Sequence, residues 1–206
     1  MEPIDTPIEI NHGLSVYLDQ ILMNNEIYRR LVGNLIYLAH TRPDLSYVVS
    51  VVSQFMYNLS DQRMNAVNRI LAYLKSSPDK DIMFSRHGHL DINGYIDFDF
   101  VESRLDRKFT SRYVSFVGGN LVTWRSKNQN VVSLSSEEVE YHVFHHATME
   151  RTWLRILLRE LRFDPKKPMV LFCNNTTTIE IANNPIQHKD NLDFGMIKVS
   201  YIKSID

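Results

Sequence analysis

Three histidines could bind a metal ion, because they fall in a predicted helix at positions that share one face. They are His142, His145 and His146, and residues three or four apart are neighbours on a helix surface. The alternative is that they are ordinary exposed or partly packed side chains. We favour that alternative, because no carboxylate partner stands in a known metal motif and a helix must expose one of its sides.

A second set of candidate functional residues is basic. It comprises Arg104, Arg107, Lys108 and Arg112, followed by Arg125 and Lys127. Such side chains bind nucleic acid through its phosphates, but a formal net charge of −1 and a pI near 6.7 argue against a broad basic surface. The set is therefore either a local nucleic-acid-binding patch or a solvated face. Trp124 and Trp153 could stack on bases, although core packing is the favoured interpretation.

The composition is typical of a folded protein with a hydrophobic core. Of 206 residues, 44% are hydrophobic and 23% are charged, close to the averages for soluble domains. The single cysteine, Cys173, cannot form an internal disulfide, and no Cys/His spacing typical of zinc occurs. No secretory signal and no membrane-spanning run is recognisable. We therefore expect an intracellular protein, in the cytoplasm or nucleus, without a membrane partner.

The first part of the chain is predicted to be helical. The predicted elements are an extended leader at 1–24, helices at 25–39, 44–57 and 60–74, and a short strand at 82–84. Pro43 separates the first two helices, and Ser60 or Asp61 can cap the third. The leader holds prolines and scattered acids without periodicity, so we expect little fixed structure there.

The second part is predicted to be a sheet with helices. The predicted elements are strands at 90–100, 109–117, 120–125 and 169–173, and helices at 135–161, 176–183 and 194–205. Gly118 and Gly119 predict a hairpin turn, and Ser135 with Glu138 forms a capping box. The first three strands should form an antiparallel meander. The order of elements predicts an α/β fold of the α+β type, a mixed sheet flanked by helices.

Several segments resemble one known family. They are YRRLVGNLIYL at 28–38, TRPD at 41–44, VSQF at 52–55, RILAYLK at 69–75, GNLVTWRSK at 119–127 and SSEEVEY at 135–141. These resemble the end of the reverse transcriptase and the ribonuclease H domain in copia-type retrotransposon polyproteins, as a degenerate plant-type copy. The resemblance implies a ribonuclease H-like fold at 89–206, preceded by a small helical reverse-transcriptase connection segment at 25–85.

The resemblance also implies a site of four carboxylates that hold two Mg²⁺ ions in the family. The first two positions carry acids here, Asp97 in YIDFDF and Glu140 in the acidic helix, and these are the predicted metal ligands. At the third position Asn174 stands where the family has aspartate. At the fourth position, Ile197 in NLDFGMI stands where the family has the final aspartate of TKHIEID. Arg112 replaces a glycine of the family's TSGY.

The implied ancestral activity is cleavage of the RNA strand of RNA–DNA hybrids, with the hybrid as partner. Losing two of four acids should leave Mg²⁺ binding weak or absent and abolish this activity. The alternatives are an active hybrid nuclease and a non-catalytic module that binds nucleic acid or protein. The polymerase palm with its paired aspartates lies upstream in the family, so we expect no DNA synthesis from these residues.

Overall fold

A computed structural model gives the architecture of the chain. The structure describes residues 4–9, 13–14, 25–57, 60–100, 108–130, 136–174, 179–180 and 197–201. The chain divides into two compact units, residues 1–82 and 83–206. The domain boundaries given above stay predictions. No helix in the described part of the chain combines the length and the apolar character needed to cross a membrane.

The first unit is built from three helices around one apolar core. They are α1 (Asn25–Leu38), α2 (Ser46–Ser53) and α3 (Asp61–Ser76), with a 3₁₀ turn at Pro43–Leu45 before α2. All three helices contribute buried side chains to the core, including Tyr28, Val52 and Ile70. The buried Tyr28 hydroxyl donates to the Val52 carbonyl oxygen at 2.8 Å, so its polar atom is satisfied inside the core.

The ends of these helices follow the sequence signals. The Ser60 side chain accepts a hydrogen bond from the backbone N–H of Arg63, which confirms Ser60 as the cap of α3. The second helix is shorter than the predicted 44–57, because the chain is a 3₁₀ turn before Ser46 and turns again after Ser53. Pro43 sits at the start of that 3₁₀ turn, where its missing N–H is not needed.

The described part of the leader is more ordered than expected. Ile4 and Ile8 pack against the core of the first unit. Arg69 donates to the Thr6 carbonyl oxygen and to Glu9, and Arg63 donates to the carbonyl oxygen of Leu14, which is 3% exposed. The expectation of little fixed structure is therefore wrong for residues 4–9 and 13–14, because α3 supplies donors to their backbone carbonyls.

The second unit contains a five-stranded mixed sheet. Its strands are β1 (Ile92–Phe100), β2 (Lys108–Val117), β3 (Asn120–Asn130), β4 (Met169–Cys173) and β5 (Ile197–Tyr201), in the order β3-β2-β1-β4-β5. The meander β1-β2-β3 is antiparallel as predicted, and β4 runs parallel to β1. Gly118 and Gly119 both have positive φ and form the predicted turn between β2 and β3.

Two predicted elements are wrong. Residues 82–84 form no strand, and Met83 and Phe84 are largely exposed. The helix predicted at 194–205 is a strand at Ile197–Tyr201, parallel to β4. The segment IKVSY alternates apolar and polar residues, which is a strand pattern, and Ile197 and Val199 pack against the core. The helix predicted at 176–183 lies mostly outside the described residues.

One long helix, α4 (Ser136–Glu160), connects β3 to β4 and packs on one face of the sheet. Val143, Phe144 and Ala147 of α4 form a buried cluster with Ile96 and Leu171. The arrangement is ribonuclease H-like. It consists of three antiparallel strands, a crossover helix and two parallel strands on the other side of β1. The predicted α+β fold class is therefore confirmed.

Candidate functional site

Asp97, inside β1, lies next to Asn174, which directly follows the end of the neighbouring parallel strand β4. In the register of β1 and β4, Ile96 lies beside Cys173. The residues that follow them, Asp97 and Asn174, are therefore side by side. The Asn174 Nδ2 donates a hydrogen bond to Asp97 Oδ1 at 3.0 Å. The amide must present its nitrogen here, because an ionised carboxylate only accepts hydrogen bonds. The structure therefore brings together the first and third predicted positions.

Arg112 approaches the same carboxylate from the other side. It lies directly across from Asp97 in the antiparallel β1–β2 register, and its Nη1 is 3.6 Å from Asp97 Oδ2. Both side chains are partly exposed, Arg112 at 40% and Asp97 at 52%. The sequence identified Arg112 as a candidate phosphate contact and not as the partner of Asp97. That pairing depends on the strand register across residues 101–107, which no sequence pattern determines.

The helix that carries Glu140 packs on the opposite face of the sheet from Asp97. Side chains alternate between the two faces of a strand, so Asp97 points away from the face on which Ile96 contacts Val143 and Phe144. Position 140 belongs to the first turns of α4. The side chain of Glu140 is outside the described part of the structure.

Ile197 is not at this end of the sheet. It begins β5 and lies beside Met169, the first residue of β4, whereas Asn174 follows the last residue of that strand. Five residues of strand separate the two levels, or about 16 Å. The structure therefore does not bring position 197 to Asp97. Residues 197–201 continue the parallel sheet instead. The assignment of position 197 as that of a lost acid stays a prediction.

The residues around Asp97 do not fit a centre for two divalent cations. Mg²⁺ needs several oxygen ligands in octahedral geometry, and two such ions need several carboxylates. Here one oxygen of Asp97 accepts from an amide N–H and the other faces a guanidinium. Within the described ranges, no group of three or more His, Cys, Asp or Glu side chains is placed to hold a metal ion.

The other candidate residues do not gather into one site in the described structure. His145 and His146 are adjacent on α4 with ring centroids 6.4 Å apart, and the side chain of His142 is not described. Arg125 is exposed and alternates with Ser126, the cross-strand neighbour of Arg112, so it belongs to the opposite face of the sheet. Of the other basic residues, Arg104 and Arg107 lie outside the described residues, and Lys108 and Lys127 are described only as strand backbone.

A buried arginine of α4, on the side of the helix that faces the sheet, was not predicted. Arg151 is fully buried, and it donates from Nη1 to the Ala147 carbonyl oxygen and from Nη2 to that of Val114 at 3.1 Å. Its guanidinium lies over Gly94, where a Cβ would be only 1.8 Å from Nε. Burial lowers the pKa of Arg151 to about 10. Gly94 is the available sequence signal, since a glycine inside a strand often marks a close approach.

Several curated relatives are Pol polyproteins of plant transposons. The chain is 35% identical over 187 residues to the retrovirus-related Pol polyproteins from transposons RE1 and RE2 of Arabidopsis thaliana, covering 91% of this chain and 13% of each relative. It is also 38% identical over 141 residues to secreted RxLR effector protein 161 of Plasmopara viticola, covering 68% of this chain and 99% of that protein. No family model matches the chain.

Solved structures give a weaker similarity. The foamy viral protease-reverse transcriptase in complex with an RNA/DNA hybrid aligns with 95% of this chain and 27% of its own, at 8% identity and a TM-score of 0.47. The fold assignment therefore rests on the strand order and not on this similarity. The sequence relatives establish the family: the chain belongs to the Pol polyproteins of plant copia-type retrotransposons, as a degenerate copy of the reverse transcriptase end and the ribonuclease H region.

Proposed function

We propose that the chain is a retrotransposon-derived ribonuclease H-like region that no longer cleaves the RNA strand of RNA–DNA hybrids. The observation that carries the proposal is the environment of Asp97. Both of its carboxylate oxygens face nitrogen groups of the protein, Nδ2 of Asn174 and Nη1 of Arg112. A catalytic acid of this class must instead offer its oxygens to cations that stabilise the attacking and leaving groups.

The placement of the other predicted positions supports the same conclusion. Asn174 contributes no negative charge, and Ile197 lies at the other end of the strands. Restoring a single acid would therefore not rebuild a four-carboxylate cluster. The ancestral partner is an RNA–DNA hybrid, and any remaining affinity for it would come from basic side chains such as Arg112 and Arg125. The compartment, cytoplasm or nucleus, stays a prediction.

The test is a cleavage assay on purified protein with end-labelled RNA–DNA hybrid, in Mg²⁺ and separately in Mn²⁺. We expect no product above that of the Asp97→Asn variant, because the acid that the variant removes no longer serves catalysis. An active ribonuclease H on the same substrate is the positive control. Cleavage that depends on the metal and disappears in Asp97→Asn would show that the chain is an active hybrid nuclease.

A hybrid-binding titration at several salt concentrations separates the two non-catalytic possibilities. Binding that weakens steeply with salt would identify a nucleic-acid-binding module that acts through phosphate contacts. A loss of affinity in Arg112→Ala but not in Arg125→Ala would assign those contacts to the face of the sheet that carries Asp97. If neither the wild type nor the variants bind the hybrid at low salt, the chain is either a remnant or a protein-binding module.

A further inference from the structure

We infer that Arg151, Ser115 and Thr148 form a buried site for one small monovalent anion, of the size of chloride or bromide, between α4 and the sheet. The site lies on the opposite face of the sheet from Asp97 and does not depend on whether the chain cleaves hybrid. A guanidinium that is removed from water needs a counter-charge, and a buried hydroxyl needs a hydrogen-bond partner.

Arg151 carries a charge that no bonded group neutralises among the described residues. Its side chain is 0% exposed. Its Nη1 and Nη2 donate to the backbone carbonyl oxygens of Ala147 and Val114, and these oxygens carry no formal charge. Burial is the main influence on the pKa of Arg151 and lowers it to about 10, so the guanidinium is still charged at neutral pH. Glu150 acts on it only through space.

Three polar atoms at this place have no hydrogen-bond partner in the described structure. They are Arg151 Nε, Ser115 Oγ and Thr148 Oγ1, and all three side chains are fully buried. Each of these atoms carries one hydrogen that it can donate. Buried donors are nearly always paired in folded proteins, because an unpaired one loses its bond to water without replacement.

The strand register brings these donors together. Ser115 is the partner of Gly94 in the β1–β2 pairing, and opposed side chains of an antiparallel pair are about 5 Å apart. The Arg151 guanidinium occupies the position of a Gly94 Cβ, since Nε lies 1.8 Å from it. Arg151 Nε is therefore about 5 Å from the Ser115 side chain. Thr148 precedes Arg151 by three residues on α4, so it lies on the same side of the helix.

The chemistry of these groups selects a small anion. A positive charge surrounded by donors repels cations and attracts an ion that accepts hydrogen bonds. Because all three side chains are fully buried, the site suits an ion of atomic size and not a nucleotide or a peptide carboxylate. A water molecule would satisfy the donors without neutralising the charge. Stability would then be independent of the anion in solution.

The test is urea denaturation of the full chain while sodium chloride replaces sodium gluconate at constant ionic strength. Gluconate keeps the screening of surface charges constant and is too bulky for an enclosed site. From chloride-free buffer to about 200 mM chloride, we expect the equilibrium constant for unfolding to fall about tenfold. That change corresponds to a dissociation constant of about 20 mM. Bromide should act like chloride, and an unfolding equilibrium that does not respond to either halide would overturn the site.

Matched variants assign the response to the buried arginine. Arg151→Met should lose the chloride dependence, whereas Arg159→Met, which removes an exposed arginine of the same helix, should keep it. The stability of Arg151→Met relative to the wild type should therefore be highest in chloride-free buffer. A chloride response of wild-type size in Arg151→Met would overturn the inference.

A second variant keeps the charge and removes the hydroxyl donors. Ser115→Ala combined with Thr148→Val should weaken the chloride response by about threefold or more, because two of the three hydrogen bonds to the anion are lost. This variant decides the question if Arg151→Met does not fold. A folded double variant with the full chloride response would overturn the site. In bromide-soaked crystals of the wild type, we expect an anomalous peak beside Arg151 Nε, and its absence there would also overturn the site.

Discussion

Two aspartates of this molecule each face an arginine, in very different surroundings. In the first unit Asp44 accepts from Arg42 Nε at 3.0 Å and Nη2 at 2.8 Å, and from the Tyr73 hydroxyl at 2.8 Å. The Arg42 side chain is only 7% exposed. In the second unit Asp97 makes one longer ion pair with Arg112, at 3.6 Å, and is 52% exposed. Both pairs join Asp to Arg, but they should have different consequences.

The difference between the two pairs is one of solvation and geometry. The Arg42–Asp44 pair is a two-bond contact next to the helix core, and Arg42 also donates to the Ser77 carbonyl oxygen. It therefore joins the loop before α2 to the end of α3. The Arg112–Asp97 pair spans two strands at the surface, where solvent screens its charges. The first pair should stabilise its unit, whereas the second should control what binds to Asp97.

The largest expected effect follows from breaking the first pair. Asp44→Ala leaves a nearly buried guanidinium without its carboxylate, and we expect the free energy of unfolding to fall by about 3 kcal/mol. Urea denaturation followed by circular dichroism measures this change. Asp79→Ala, an exposed acid of the same unit, is the control and should change stability little. A fall of less than about 1 kcal/mol for Asp44→Ala would contradict the structural role of this pair.

The same pair makes stability depend on pH. Burial alone would raise the pKa of Asp44, but hydrogen bonds from Arg42 and Tyr73 outweigh it and lower the pKa below its usual value. The stabilisation is therefore fully present above the unfolded pKa of about 3.9 and is lost as the pH falls through the lower folded pKa. Accordingly, the stability difference between wild type and Asp44→Ala should shrink as the pH is lowered below about 4.

A smaller effect of opposite sign is expected at Arg151, which is buried and which, among the described residues, donates to backbone carbonyl oxygens and not to a carboxylate. Among the described atoms its Nε has no hydrogen-bond partner. Arg151→Met keeps the length of the side chain and removes the desolvated charge, so we expect a gain of about 1 kcal/mol in unfolding free energy. Arg159→Met removes an exposed arginine of the same helix and serves as the control. A loss of stability in Arg151→Met would show that its carbonyl contacts outweigh the cost of burial.

The smallest effect is expected at Arg112. Because the Arg112–Asp97 pair is partly exposed, Arg112→Ala should change the unfolding free energy by less than about 0.5 kcal/mol. The same denaturation series that includes Asp44→Ala measures it. A destabilisation comparable to that of Asp44→Ala would mean that the two pairs are alike, and the contrast between the units would be lost.

The sequence predicted elements where local chemistry determines local structure. Gly118 and Gly119 favour the positive φ values of the hairpin, and Ser60 has the side chain of a helix cap. The helix predicted at 194–205 is instead a strand at 197–201, where Ile197, Val199 and Tyr201 alternate with polar residues. Its role depends on β4, a partner that lies 24 or more residues earlier in the chain.

The candidate site was predictable only in part, because contacts between strands depend on register. The sequence identified Asp97 and position 174, and their proximity follows from the parallel pairing of β1 with β4. The pairing of Asp97 with Arg112 needed the register across 101–107, and the burial of Arg151 needed its approach to Gly94. No periodicity within one segment contains that information.

The most direct test compares hybrid cleavage by the wild type with that by Asp97→Asn, in Mn²⁺ and with enzyme in excess over substrate. If the Asp97 carboxylate serves only as the partner of Arg112 and Asn174, the two rates are equal and indistinguishable from buffer. A wild-type rate more than about tenfold above that of Asp97→Asn, equivalent to about 1.4 kcal/mol of transition-state stabilisation, would show that Asp97 still serves catalysis and would contradict the proposed loss of hybrid cleavage.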